Sequence, residues 1–141
     1  MCLDRIFLRD KKNVKEFCDK NLKQIKYRNS WWYVGWKYCP TIDNKLSLFH
    51  NDYDFNVIHE SIKVYIRCNL SYDDYYNTGF HILTNRQDAR TYSFGYNVKR
   101  VLFQLPRIIG VQDNLNVVVA DKIIVFDYKK EKEIFKNACY K

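Results

Sequence analysis

Four runs rich in β-branched residues follow one another almost without pause: Val98–Leu105, Ile108–Val111, Val117–Ala120 and Ile123–Tyr128. Each is too short for a buried helix and dense enough in Val and Ile for a strand, so this part of the chain must be sheet. Trp31-Trp32-Tyr33-Val34-Gly35-Trp36-Lys37-Tyr38 has the same texture and ends at Pro40, which favours a further strand. In Ser61–Cys68, Ile62, Val64, Ile66 and Cys68 alternate with Lys63, Tyr65 and Arg67, the period of a strand with one buried and one wetted face. Gly79–Leu83 reads as a short strand.

Helical signals are fewer. Over Lys11–Tyr27, Val14, Phe17, Cys18, Leu22 and Ile25 recur near the 3.6-residue period, which predicts one amphipathic helix capped by Asp10 or Asn13. Thr84-Asn85-Arg86-Gln87 has the spacing of a capping box and predicts a short helix from about Asn85 to Phe94. Ala89 and Tyr92 would face inward, and Gly95 would stop it. Lys129–Cys139 predicts a charged final helix packed through Ile134 and Phe135. The expected fold is therefore α+β: one domain, a twisted and mostly antiparallel sheet, an N-terminal amphipathic helix and one or two short helices. At 141 residues the chain is long enough for one core without metal or disulfide support, and four Gly and two Pro exclude collagen-like or Gly/Pro-rich disorder.

Cys2, Cys18, Cys39, Cys68 and Cys139 are odd in number and scattered, with no CxxC pair, which points to ordinary thiols in a reducing, cytosolic setting. His50, His59 and His81 lack the close ligand pairing that zinc needs, and Asp73-Asp74 reads as a solvated acidic pair, so no metal is expected. No apolar run reaches the ~18 residues of a membrane span. Met1–Lys15 is too charged for the apolar core of a signal peptide. GxGxxG, P-loop and GxSxG signatures are absent, and no cofactor is expected.

The net charge of +8 is unevenly spread. Residues 1–40 hold ten Lys/Arg against four Asp/Glu, residues 41–80 hold three against six, and residues 81–141 hold eleven against six. If the two basic ends meet, they form a cationic face suited to phosphates or to an acidic protein surface. Lys11, Lys12, Lys15, Lys20, Lys23 and Lys26 fall on the expected helix, and Arg28 precedes Trp31 and Trp32. Cations beside exposed rings make a platform for single-stranded nucleic acid, with charge on phosphates and rings on bases. The bland alternative places all three tryptophans in the core. Adjacent strand residues point to opposite faces, so one of Trp31 and Trp32 is a candidate surface anchor. The binding candidates are thus Lys11, Lys12, Lys15, Lys23, Lys26, Arg28, Trp31 and Trp32. Tyr72, Tyr75 and Tyr76 in the acidic connection of residues 71–78 form a second, protein-binding candidate.

The most distinctive stretch is Thr78-Gly79-Phe80-His81-Ile82-Leu83-Thr84-Asn85-Arg86-Gln87-Asp88-Ala89-Arg90-Thr91-Tyr92. With the later Asn116-Val117-Val118-Val119-Ala120-Asp121-Lys122-Ile123, it resembles a set of small phage-encoded proteins in which a GFH strand precedes such a helix. It also resembles, over roughly residues 79–125, the middle of ADP-ribosyltransferase-like folds. The second resemblance implies an Arg or His on the first core strand to hold NAD, and a late Glu to orient the acceptor. Tyr33–Lys37 has neither Arg nor His, and the late strands offer Asp121 in place of Glu. His81 is the candidate acid or base, although Phe80 and Ile82 beside it favour a structural histidine. The phage resemblance implies a non-enzymatic accessory protein that binds and blocks a host nucleic-acid-handling defence complex, as anti-CRISPR proteins do. Its expected partner is a host nucleoprotein or RNA. The alternative is an ADP-ribosyltransferase-like or nucleotide-binding domain, including a sponge for a nucleotide signal.

Overall fold

The computed structural model describes residues 2–42, 45–48, 51–71, 73–93 and 97–141. His50, Tyr72 and the helix stop expected at Gly95 lie outside them. The chain begins with β1 (Arg5–Leu8), α1 (Lys11–Asn21), β2 (Gln24–Tyr27) and β3 (Ser30–Tyr38). Short strands β4 (Thr41–Ile42), β5 (Lys45–Leu48), β6 (Asn51–Tyr53), β7 (His59–Glu60), β8 (Tyr65–Arg67) and β9 (Tyr75–Asn77) follow. The last part holds β10 (Phe80–Leu83), α2 (Arg86–Ser93), β11 (Val98–Gln112), β12 (Leu115–Val125) and α3 (Tyr128–Lys136). This is the α+β, antiparallel architecture expected, in one domain. No helix among the described residues is long and apolar enough to cross a membrane.

The main sheet closes on itself. β11 pairs with β12 along almost its whole length and with β3 through Val98–Phe103; β12 also pairs with β10, and Leu83 of β10 meets Trp36 of β3. The ring β3–β11–β12–β10 buries Val101, Phe103, Val118, Ala120, Ile123 and Val125 on its inner side, where Val14, Cys18 and Leu22 of α1 close it. Alternate residues face outward and are covered too. Leu102 and Ile124 pack with Ile25, Trp32 and Phe135, while Val117 and Val119 pack with Tyr76 and Ala89. Burial of both faces explains why these strands read as continuous apolar runs rather than alternating ones. The closure leans on Gly35: a Cβ there would reach Phe103 Cε1 at 3.0 Å and the Leu83 carbonyl at 3.3 Å, and would strike Ile82. Gly35→Ala is expected to lower stability by about 1–3 kcal/mol, the usual cost of overpacking, read as a fall in the urea midpoint.

Five sequence expectations need correction. The N-terminal helix ends at Asn21, not Tyr27; Leu22 is already extended, and residues 24–27 form a hairpin with β3. Arg28 and Asn29 both take left-handed conformations (φ 50° and 63°), as the favoured two-residue hairpin turn requires. Pairing with the aromatic strand therefore outweighs the helical period of Ile25, and Lys23 and Lys26 leave the helix. The cap of α2 is Asn85 rather than Thr84, because Asn85 Oδ1 accepts from the Asp88 N–H at 2.8 Å. Within the segment 61–68 only Tyr65–Arg67 is strand, and Ile62 (65% exposed) and Val64 (53%) face solvent instead of the core. The four late strands are two: Asp113 and Asn114 (φ 49° and 64°) turn β11 into β12. The final helix forms but ends at Lys136 rather than Cys139, because residues 139–141 pair beside β2 instead. Asp10 caps α1 through the Asn13 N–H, and Phe135 anchors α3 in the core.

Candidate nucleic-acid interface

Pro106 sits inside β11, and a proline there removes a ladder donor. The strand accommodates it by bulging. Leu105 takes φ 57°, and Pro106 and Ile108 pair with the consecutive residues Ala120 and Val119, leaving Arg107 as the extra residue. A bulge re-aims the side chain it frees. The Arg107 Nε donates to Asp121 Oδ1 at 2.7 Å, and its terminal nitrogens donate to the carbonyls of Asn77 and Thr78 at 3.1 and 2.8 Å. These bonds tie β9 to the bend and make it one wall of a groove.

The groove has two arms that meet at Lys11, Leu105 and Pro106. One arm, about 570 Å³, runs past Arg9, Arg107 and Tyr76 to Tyr65 and Tyr75. Tyr65 and Tyr75 are exposed and stacked on each other, with centroids 5.2 Å apart and planes 12° from parallel. The other arm, about 450 Å³, runs past Lys15, Tyr33 and Gln104 to Trp31 and Lys141. The Lys141 ammonium lies 5.5 Å from the centre of the Trp31 ring. It is held there because residues 139–141 extend the sheet beside β2: the Lys141 N–H donates to the Gln24 carbonyl at 2.9 Å, and Ile25 bridges to Tyr140.

Five cations line the two arms, Arg9, Lys11, Lys15, Arg107 and Lys141, against two carboxylates, Asp19 and Asp121. Asp19 accepts from Lys15 at 2.6 Å and from the Tyr33 hydroxyl. The Lys15 ammonium beside it, then Tyr33, hold its carboxyl below the usual range. That pair is exposed and exchanges with solvent ions at little cost. Basic residues from both ends of the sequence, Lys11 and Lys15 on α1 and Lys141, therefore do converge on one surface.

The sequence candidates separate accordingly. Lys11, Lys15 and Trp31 line the groove. Trp31 is 38% exposed and Trp32 3%, its indole N–H donating to the Tyr27 carbonyl at 3.3 Å; Trp32 is core. Lys26 lies opposite Trp31 in the hairpin register, so it shares that face without lining the groove. Arg28 stacks on Tyr27, and Lys23 lies over Tyr140 on another face; Lys12 is exposed on α1 outside the groove. Tyr76 is not a surface residue of an acidic loop but is buried, its hydroxyl accepting from the Leu3 N–H at 2.9 Å. Arg9, Tyr65, Arg107 and Lys141 were not singled out from sequence. Pro106 within an apolar run was the one signal of a bulge there.

Neither catalytic candidate is arranged for catalysis. His81 is buried; its Nδ1 faces the Gly79 carbonyl at 3.1 Å and its Nε2 faces the Tyr76 hydroxyl at 3.1 Å. With Nδ1 donating and Nε2 accepting, the ring is neutral, and burial, then the nearby Lys37 ammonium, push its pKa down to about 3. Asp121 is held by Arg107, by Ser61 Oγ at 3.1 Å and by Lys63 Nζ at 3.6 Å. Burial raises the Cys18 and Cys39 thiols to about 12, so both are protonated and poor nucleophiles. Asp74 is engaged by Ser71 Oγ at 2.7 Å and by Arg9 at 3.8 Å. Among the described residues no group of three or more metal-ligating side chains forms. Comparisons of the chain with protein-family models, curated proteins and solved structures gave no match.

Proposed function

We propose that the chain is a binding protein for single-stranded nucleic acid, RNA foremost, and that the groove around the β11 bulge is its binding surface. The observation that carries this reading is the exposed Trp31, flanked by Lys141 and Lys15, in a groove that continues to the stacked Tyr65–Tyr75 pair. Rings that present open faces stack on bases of any sequence, and the cations between them track the phosphates. A duplex hides its base faces and gains only the charge term. In the setting implied by the resemblance to small phage proteins, the strand belongs to a host nucleoprotein complex of the bacterial cytosol, such as a CRISPR effector. Occupying its exposed RNA would block it without any chemistry.

Titration of a fluorescent ten-nucleotide oligouridine tests the reading. Lys11, Lys15 and Lys141 supply about three phosphate contacts, so log K should fall with log salt at a slope of about −2. Affinity should drop roughly fifteenfold between 50 and 200 mM salt. Removing Lys11 and Lys15 together by alanine should flatten the slope by about one or more, whereas Lys12→Ala with Arg28→Ala should leave it close to that of the parent. Absence of binding at 50 mM salt, or equal affinity for a duplex of the same length, would overturn the proposal.

A further inference from the structure

A second, smaller cavity lies away from the groove and shares no lining residue with it. It measures about 240 Å³ and opens between the end of α1, the middle of β3, the start of α2 and the buried side of α3. Three rings border it, Trp36, Phe135 and Tyr140, together with the cations Arg100 and Lys23. Among the described residues no carboxylate lines it. Thr84 and Asn85, from the segment that the sequence marks as most distinctive, complete its polar rim.

The cations are held by the rings. The Arg100 guanidinium lies 4.2 Å from the centre of Phe135 and 5.8 Å from that of Trp36, and Arg86 lies 5.8 Å from the same Trp36 ring. Lys23 Nζ stands 5.5 Å from the Tyr140 ring. Glu131 fixes the Arg100 orientation from behind, accepting the Arg100 backbone N–H at 3.3 Å and pairing with Nε at 3.7 Å. A guanidinium held over a ring and paired with a carboxylate at Nε leaves its two terminal nitrogens for a ligand, the fork that binds an oxyanion in two-point fashion. Much of the ordering cost of such a contact is met before a ligand arrives. Positive charge without a lining carboxylate selects an anion, the rings select a planar group, and the volume limits the ligand to a single small unit.

We infer that this cavity is a binding site for a nucleoside monophosphate, a planar base carrying one phosphate, with Arg100 and Lys23 on the phosphate and Trp36 and Tyr140 beside the base. It is a site for a free small molecule, independent of strand binding in the groove. A dinucleotide or longer strand is too large for it.

Thermal-shift and calorimetric titrations with adenosine monophosphate and uridine monophosphate test it, with adenosine and inorganic phosphate as the two half-ligands. At least one monophosphate should raise Tm by several degrees at millimolar concentration and bind at least tenfold more tightly than either half. Lys23→Glu, an exposed change that leaves the fold intact, should abolish that shift, and Arg100→Gln should weaken it tenfold or more. The Trp31→Ala variant should keep the shift in full, so loss of oligonucleotide binding in the groove and loss of the monophosphate site are read separately. Equal responses to phosphate and to the monophosphates, no response to either monophosphate, or a shift that survives Lys23→Glu would each overturn the inference.

Discussion

Trp31→Ala is expected to weaken oligouridine binding by about tenfold to a hundredfold while leaving the urea midpoint within a few tenths of a molar of the parent. The magnitude follows from the ~1–3 kcal/mol that one base–aromatic stack contributes, less where the neighbouring Tyr33 takes over part of the contact. Stability should hardly move, because the ring is 38% exposed and lies on the outer face of the hairpin. Its neighbour gives the opposite result. Trp32 is 3% exposed and packs with Ile25, Leu102, Ile124 and Phe126, so Trp32→Ala should cost about 3–5 kcal/mol, as large-to-small changes in cores do. Two identical residues in sequence thus separate binding from folding. The pair of outcomes is what makes the test sharp: loss of binding only in step with loss of stability, or full binding in a well-folded Trp31→Ala protein, would sink the groove as the binding surface.

That separation was legible in advance because strand alternation is a local rule: adjacent residues on a strand face opposite ways whatever they pack against. What the period cannot say is which face is covered. In the segment 61–68 the alternation predicts Ile62, Val64, Ile66 and Cys68 inward, yet only Ile66 and Cys68 turn toward the second core cluster. Ile62 and Val64 precede β8, where the backbone is held by Thr78 and by the Asp121 carbonyl rather than by a packed face. The helix boundary failed for a related reason. Leu22 and Ile25 fit the helical period, but Ile25 is buried against Trp32 across a hairpin, a partner that enters only after the turn at Arg28 and Asn29. Nothing in a Tyr-Arg-Asn-Ser stretch advertises two consecutive left-handed residues as an Asn-Gly would.

The groove was half legible. Lys11 and Lys15 stand four apart and so share a helix face, and the uneven charge marks both ends of the sequence as basic. Convergence on Leu105–Pro106 depends on where the bulge turns the sheet, which is a tertiary fact. Tyr76 shows the limit from the other side. It sits in a polar, acidic, tyrosine-rich stretch with every local sign of exposure, and is nevertheless drawn into the core by two partners, the Leu3 N–H and the His81 ring, that lie 73 and five residues away.

The His81 ring gives the protein an acid-sensitive core. Its pKa falls from 6.5 to about 3 on folding, through burial first and the Lys37 charge second. Lys37 donates from Nζ to the His81 carbonyl at 2.8 Å, so a protonated ring would stand beside an ammonium and would lose its acceptor for the Tyr76 hydroxyl. Above pH 6.5 the ring is neutral folded and unfolded, and its contribution to stability is fully present. Between pH 6.5 and about 3 the unfolded chain takes up a proton that the native state refuses, so stability is lost as pH falls. The slope approaches about 1.4 kcal/mol per pH unit for one such group. Asp19 and Asp127, whose carboxyls are held below their usual range by their hydrogen-bond partners, titrate in the unfolded chain near pH 4. They act below the window from 6.5 to 4.5, in which His81 is the group shifted by folding among the described residues. Urea midpoints measured across that window should fall steadily for the parent. His81→Gln, which offers an acceptor to Tyr76 but cannot titrate, should start about 1–3 kcal/mol less stable at pH 7 and then stay nearly flat to pH 4.5. A parent that is itself flat there, or a variant with the parent's slope, would show that the ring is not held neutral by its surroundings.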